Sequence, residues 1–348
     1  MKIFRCPHCS FEVYFENTQC IHCGSMMAYN PRTSDFEKIN SSNSNSNNSE
    51  VPAVYCKNYQ MSGCNWLVQS NRGPYCTCCS LNRYIPNKED HENFEKYSKL
   101  ELAKHRLVYQ LLQLGLPIFP KTNETPNGLI FDFLTEDNPE GVVTGHADGV
   151  ITILLLEADS VKREQLRKQM SEPYRTLIGH FRHEVGHYYY MHFFTDRNID
   201  EFRSIFGDER SDYGQALQNH YDNGPIPDWN SSFISAYASS HPWEDWAETW
   251  AHYLHIMDTL ETAHFTGLGI VEGTLSNALN LFPNPYDLNS FEEILNWSIK
   301  LTCAANSLNR SMGIPDIYPF VLPAPVHTKL NFIHETIRSY TQMICKNK

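Results

Sequence analysis

The sequence predicts an α+β chain in two parts. A small cysteine-rich module stapled by metal ions is followed by a mainly helical domain with a small sheet. Three observations predict it. Nine of the eleven cysteines fall within the first 79 residues, several as CxxC pairs. A polar run, SSNSNSNNS, divides them into two sets. From about residue 90 the apolar residues recur at helical spacing over long segments. At 348 residues, 41 % hydrophobic and 20 % charged, the composition is that of a globular protein.

In the first part, Cys6-Pro7-His8-Cys9 and Cys20-Ile21-His22-Cys23 form two knuckles separated by ten residues. Each CxxC turn points two sulfurs at one ion, and two turns complete a tetrahedral four-cysteine zinc site. About thirty residues bury too little surface to fold unaided, so the metal supplies the missing stability. Residues 1–32 therefore read as a zinc ribbon, with His8 and His22 as exposed loop residues. Residues 33–52 read as an Asn/Ser-rich linker, too polar to form a core.

Residues 53–89 read as a second four-cysteine zinc segment. Cys56, Cys64, Cys76 and Cys79 are its ligands and Cys78 is the spare thiol, although spacing alone also allows Cys78 in place of Cys79. Fully thiolate-ligated zinc has no open coordination position, so both sites are expected to be structural. The Asn/Ser run at 40–49 looks like an insertion between the two clusters and weakens any claim that they pack together.

The remaining stretch, 90–348, reads as one domain. Phe94, Tyr97, Leu100, Leu107, Leu111 and Leu114 predict a helix over 91–114, stopped by Gly115 and Pro117. The β-branched and aliphatic run at 149–158 predicts a strand, either sheet core or an edge that binds extended substrate. VKREQLRKQM opens a charged helix at 161. Further helices are expected over about 173–194, 241–260, 291–307 and 327–343, with Pro225 and Pro227 marking a loop.

The chemistry concentrates in His183-Glu184-Val185-Gly186-His187, an HExxH motif. On a helix, positions i and i+4 share a face, so both imidazoles can reach one zinc ion. Glu184 projects beside the pair and can take a proton from an attacking water without ligating the metal. A catalytic site needs a third protein ligand. The HExxHxxGxxH continuation is absent, because Tyr190 and Phe193 stand where its glycine and histidine would be.

A carboxylate from a second helix is the alternative, and Glu244 and Glu248 lie one turn apart among Trp243, Trp246 and Trp250. Glu244 as ligand, with Glu248 bonding a ligand histidine from behind, matches the carboxylate–histidine–zinc arrangement. The reverse assignment remains open. Tyr237 and His241 are candidate oxyanion donors, Tyr237 preferred. His180 is a rival ligand, but it reads better as a hydrogen-bonded core residue, as do His192, His252 and His255.

A net charge of −12 argues against nucleic acid or an anionic membrane as partner. No apolar run approaches the roughly 20 residues a bilayer needs. Cysteines grouped for metal, without a signal-peptide pattern in MKIFRCPHCS, point to a reducing, cytoplasmic setting.

FRHEVGHYY (181–189), preceded by Glu172-Pro173-Tyr174-Arg175, resembles the bacterial zinc-binding metallopeptidases with an N-terminal zinc-ribbon domain. So do FGDERSDYGQAL (206–217), SAYASSHPWEDWAETWAHYL (235–254) and CTCCSLNRYIPN (76–87). The resemblance covers nearly the whole chain. It implies a zincin-like catalytic domain with His183, Glu184 and His187 in the usual places. EDWAE is similar to the E-x-x-A-E helix of lethal-factor-like gluzincins, which favours Glu244 as third ligand and Tyr237 as catalytic tyrosine. The expected activity is hydrolysis of peptide bonds in a peptide or protein substrate, with one catalytic and two structural Zn2+. A zinc-stabilised interaction module with a structural or inactive HExxH site is the competing expectation.

Overall fold

The computed structural model describes residues 1–39, 53–69, 73–137, 144–169, 176–194, 198–271, 279–319 and 321–346. The polar run at 40–49 and residues 172–175 lie outside them. The cysteine module opens with the antiparallel pair β1 (Phe4–Arg5) and β2 (Glu12–Val13). A second pair, β3 (Met27–Asn30) and β4 (Asp35–Lys38), follows. Strand β4 falls inside the stretch read as linker. A third pair, β5 (Ala53–Tyr55) and β6 (Leu67–Gln69), encloses the single helical turn α1 (Tyr59–Ser62).

The two cysteine clusters pack together despite the polar insertion between them. Tyr29 N donates to Asn65 O at 2.8 Å, and Asn65 Nδ2 donates to Phe15 O at 2.6 Å. Tyr29 and Trp66, both fully buried, have ring centroids 4.9 Å apart. Neither set is large enough to bury its own aromatic residues, so Phe4, Phe15, Tyr29 and Trp66 pool into one core. Tyr109 of helix α2 (His91–Gln113) completes it, 5.2 Å from Phe15 and 6.0 Å from Tyr29. Asp90 caps α2 by accepting from Asn93 N.

A four-stranded sheet comprises β7 (Asn82–Tyr84), β8 (Ile130–Leu134), β9 (Gly145–Ala147) and β10 (Val150–Leu154), in the order β7-β8-β10-β9. Strands β7, β8 and β10 are parallel, and β9 is antiparallel to β10. The strand expected over 149–158 is thus an inner strand paired on both sides, continuing as a 3-10 turn over Leu155–Ala158. It offers no edge to a substrate. Among the described residues the edges are β7 and β9, the latter returned by Asp148-Gly149, whose φ values of 47° and 80° suit a two-residue hairpin turn. A Cβ on Gly149 would lie 2.2 Å from Gly128 O, so only glycine fits there.

The helices that follow are α3 (Ser160–Gln169), α4 (Leu177–Phe193), α5 (Ile199–Phe206), α6 (Tyr213–Asn223) and α7 (Pro242–Phe265). After the hairpin β11 (Gly269–Val271) and β12 (Leu279–Leu281) come α8 (Phe291–Ser311) and α9 (Ala324–Lys346). Helices α5 and α6 occupy a stretch to which the sequence reading assigned no element. Among the described residues, no helix is long and apolar enough to cross a membrane.

Phe131 and Phe133 of β8 pack on Phe181 of α4, at 5.8 and 6.3 Å, and Phe133 meets Tyr97 of α2 at 5.1 Å. Helix α4 crosses α7 at Gly186. A Cβ there would stand 3.0 Å from Trp250 Cδ1 and 3.2 Å from Ala247 Cα, so the glycine sets how closely the helices approach. Trp246 Nε1 donates to Gly186 O at 2.9 Å across the crossing. Arg182, 2 % exposed, reaches Gln110 Oε1 of α2 at 3.0 Å and Asp258 Oδ2 of α7 at 2.5 Å.

Candidate metal and active site

Both HExxH histidines lie on α4, whose first turn is fixed by Thr176 accepting from Gly179 N at 3.0 Å. The opposing residues lie on the first two turns of α7. That helix begins where the sequence dictates. His241 caps it, Pro242 takes the first position, and Glu244 and Asp245 place negative charge at the positive end of the dipole. His241 Nδ1 accepts from Trp243 N at 3.1 Å, so its Nε2 carries the proton and donates to Ser211 O at 3.1 Å. Committed on both nitrogens, His241 is not available as an oxyanion donor.

Glu244 is 1 % exposed. Its Oε2 lies 3.0 Å from His183 Nε2 and 3.6 Å from His187 Nε2. His183 Nδ1 donates to Glu248 Oε1 at 2.7 Å, which turns Nε2 toward the Glu244 carboxylate. Glu244 Oε2 is buried and receives no hydrogen bond among the described residues. Two imidazole nitrogens and a carboxylate oxygen thus converge on one point. Bonds of 2.0–2.1 Å to a tetrahedral ion put ligand atoms about 3.3 Å apart, so these residues fit a zinc ion.

Each acid has its own support. Tyr213 of α6 donates to Glu244 Oε1 at 2.7 Å, and Ser235 Oγ donates to Glu248 Oε2 at 2.6 Å. Glu184 is 8 % exposed, and burial pushes its carboxyl up to about 7. His183 opposes that shift, while the carboxylates of Glu244, Glu157 and Glu248 add to it. Tyr237 sits in a 3-10 turn, its ring 6.0 Å from that of His183. Burial, with Glu244 and the phenols of Tyr221 and Tyr213 nearby, raises its hydroxyl well above the usual phenol range and keeps it a donor.

The other histidines are occupied elsewhere. His180 Nδ1 faces Glu157 Oε2 at 3.3 Å, and His192 Nε2 donates to Asn127 O at 3.1 Å. His252 Nδ1 meets the Tyr318 hydroxyl, and His255 Nδ1 accepts from Arg182 at 2.5 Å. His146 was not singled out in the sequence. It lies on the edge strand β9, its ring 6.0 Å from that of His187 and nearly parallel to it. No local spacing signals it, because the sheet brings it there. Tyr213 and Ser235 were also missed, although both lie in the motifs that carried the family resemblance.

In the module, Cys6, Cys9, Cys20 and Cys23 form one cluster and Cys56, Cys64, Cys76 and Cys79 another. The sulfurs of Cys6 and Cys23, Cys9 and Cys20, and Cys64 and Cys76 are each 3.7 Å apart. Thiolates on a tetrahedral ion with 2.3 Å bonds would stand about 3.8 Å apart. Both clusters therefore fit structural zinc. Cys78 is grouped instead with Glu101 and His105 of α2.

An HExxH helix crossed by a helix bearing two acids, joined to a four-cysteine module, defines a zinc-binding protein of metallopeptidase type. Residues 93–336 match the family described as "Putative zinc-binding metallo-peptidase", and residues 3–90 match a zinc-ribbon domain family. The chain belongs to this zinc-binding metallopeptidase family. It is 41 % identical over 340 residues to uncharacterized proteins of Mycobacterium bovis and Mycobacterium tuberculosis, covering 97 % of this chain and 95 % of theirs. No solved structure matches it.

Proposed function

We propose that the chain is a gluzincin-type peptidase that hydrolyses peptide bonds at His183, His187 and Glu244. The observation that carries the reading is the buried Glu244 oxygen, which receives no hydrogen bond among the described residues and faces the two Nε2 atoms at 3.0 and 3.6 Å. A zinc ion held there supplies a Lewis acid for the scissile carbonyl and an activated water. Glu184 accepts the proton of that water and returns it to the leaving amine, a task suited by a carboxyl raised toward neutrality. Glu248 holds His183 in the tautomer that presents Nε2. Tyr237 donates to the oxyanion that forms as the carbonyl is attacked. The edge strand β9, beside His187, is where an extended peptide can add to the sheet. The four-cysteine clusters hold structural zinc, and the protein acts in the cytoplasm.

The test is metal content, by elemental analysis, of wild type, Glu244→Ala and Glu184→Gln, alongside cleavage of a peptide library. Glu244→Ala is expected to hold about one zinc fewer than wild type, while Glu184→Gln keeps the full complement. Both should lose cleavage, Glu184→Gln by about 10²–10⁴-fold. Equal zinc in all three proteins would refute the ligand set and favour an interaction module instead.

A further inference from the structure

The spare thiol, Cys78, is not exposed at all, and neither the catalytic reading nor a four-cysteine site uses it. What faces the second cluster from outside is His105 of α2, itself 6 % exposed. His105 Nε2 lies 3.3 Å from Cys64 Sγ and 3.8 Å from Cys79 Sγ. A histidine nitrogen and a thiolate sharing one tetrahedral zinc stand about 3.6 Å apart, so both distances fit ligands of a common ion. His105 Nδ1 is 2.8 Å from Glu101 O, a carbonyl that can only accept. A proton therefore sits on Nδ1, and Nε2 is the atom turned toward the sulfurs. That is how a metal-ligating histidine is ordinarily oriented.

We propose that the second cysteine cluster holds two zinc ions rather than one. Cys56 and Cys76 complete the first ion, Cys78 and His105 complete the second, and the thiolates of Cys64 and Cys79 bridge them. Each ion then has four ligands, supplied by six residues. Glu101, grouped with Cys78 and His105, already has other partners, and its Oε1 accepts from Cys79 Sγ at 3.6 Å. Its Oε1 is 3.0 Å from Lys104 Nζ and its Oε2 accepts from Asn82 Nδ2 at 3.1 Å.

Charge favours the same count. One Zn2+ on four thiolates buries a net charge of about −2, whereas two Zn2+ on five thiolates bury about −1. With Lys104 and Glu101 cancelling, the second ion halves the charge the interior must hold. Binding deprotonates Cys78 and releases that proton to solvent. The inference is independent of the peptidase reading, because it concerns a different cluster.

The experiment is zinc content of the full-length chain as wild type, Cys78→Ser and His105→Gln, each also with Glu244→Ala. Cys78→Ser and His105→Gln are each expected to hold about one zinc fewer, and combining either with Glu244→Ala should lose about two. Wild-type zinc in both single variants would overturn the proposal and leave His105 as a hydrogen-bond donor to a four-cysteine site. A readout that needs no substitution is the cadmium-113 spectrum of the wild-type chain. Two thiolate-type resonances that split each other are expected, since bridging sulfurs couple the ions. Thiolate resonances with no mutual splitting would overturn it regardless of how the variants fold.

Discussion

Replacing Glu248 by alanine tests how His183 is held. The side chain is 19 % exposed and spans two contacts, His183 Nδ1 at 2.7 Å and Ser235 Oγ at 2.6 Å. The first is a hydrogen bond to a charged acceptor, of a kind contributing about 1.5–3 kcal/mol. Without it the imidazole ring is free to rotate and to move its proton to Nε2, the atom that faces Glu244. Zinc affinity of this site is therefore expected to fall about 10–100-fold, or ~1.4–2.7 kcal/mol. Glu248→Gln keeps an acceptor oxygen and loses only the charge. Neutral hydrogen bonds are roughly half as strong, so its loss should be about 3–10-fold. Competition with a chromophoric chelator measures both, reading only the ion that Glu244→Ala lacks. Alanine within about twofold of wild type, or glutamine weaker than alanine, would refute the role assigned to Glu248.

Two further perturbations probe the scaffold. Lys329 Nζ of α9 lies 2.6 Å from Asp245 Oδ2, and neither side chain is more than 7 % exposed. Lys329→Met strands a buried carboxylate and should lower unfolding free energy in denaturant by about 3–5 kcal/mol, while Lys329→Met with Asp245→Asn recovers most of it. Burial depresses the His252 imidazole to about 4, against the opposing pull of Glu248. Its unfolded value is near 6.5, so between the two values the unfolded chain binds more protons. The contribution is full above about pH 6.5, fades as pH falls, and is lost through about pH 4, amounting to ~3 kcal/mol. Denaturant titrations of wild type and His252→Phe from neutral to acid pH should converge by that amount on acidification, and parallel curves would count against it.

What was legible in the sequence is what is local. His183 and His187 share a face because a helix turns every 3.6 residues, and Glu244 and Glu248 face them for the same reason. The cysteine knuckles are short enough for spacing to group them. Residues that arrive by packing left no such trace. His146 reaches His187 only because β10 pairs with β9, and Tyr213 reaches Glu244 only because the start of α6 comes beside the first turn of α7. His105 is a similar case, lying inside an apolar helical repeat that disguises its direction. The reading of 149–158 as a possible edge strand failed because strand order is set by the whole sheet, not by the residues of one strand.

The packing of the two cysteine clusters also bears on the helical domain. Helix α2 is the element common to both. On one side it gives Tyr109 to the aromatic core of the module and His105 to the second cluster. On the other, Gln110 accepts from Arg182 of α4 and donates to Leu254 O of α7 at 2.6 Å. Tyr109 also donates to Glu261 Oε1 of α7 at 2.6 Å. Arg182 adjoins His183, and α7 carries Glu244, so the crossing of α4 and α7 that aligns these residues rests on the same helix that the module grips. Such buried polar ties hold a small set of helix positions against alternatives, because breaking one leaves its partners unsatisfied at about 1–3 kcal/mol each. Helix α2 thus joins the cysteine module to the two helices that carry His183, His187 and Glu244.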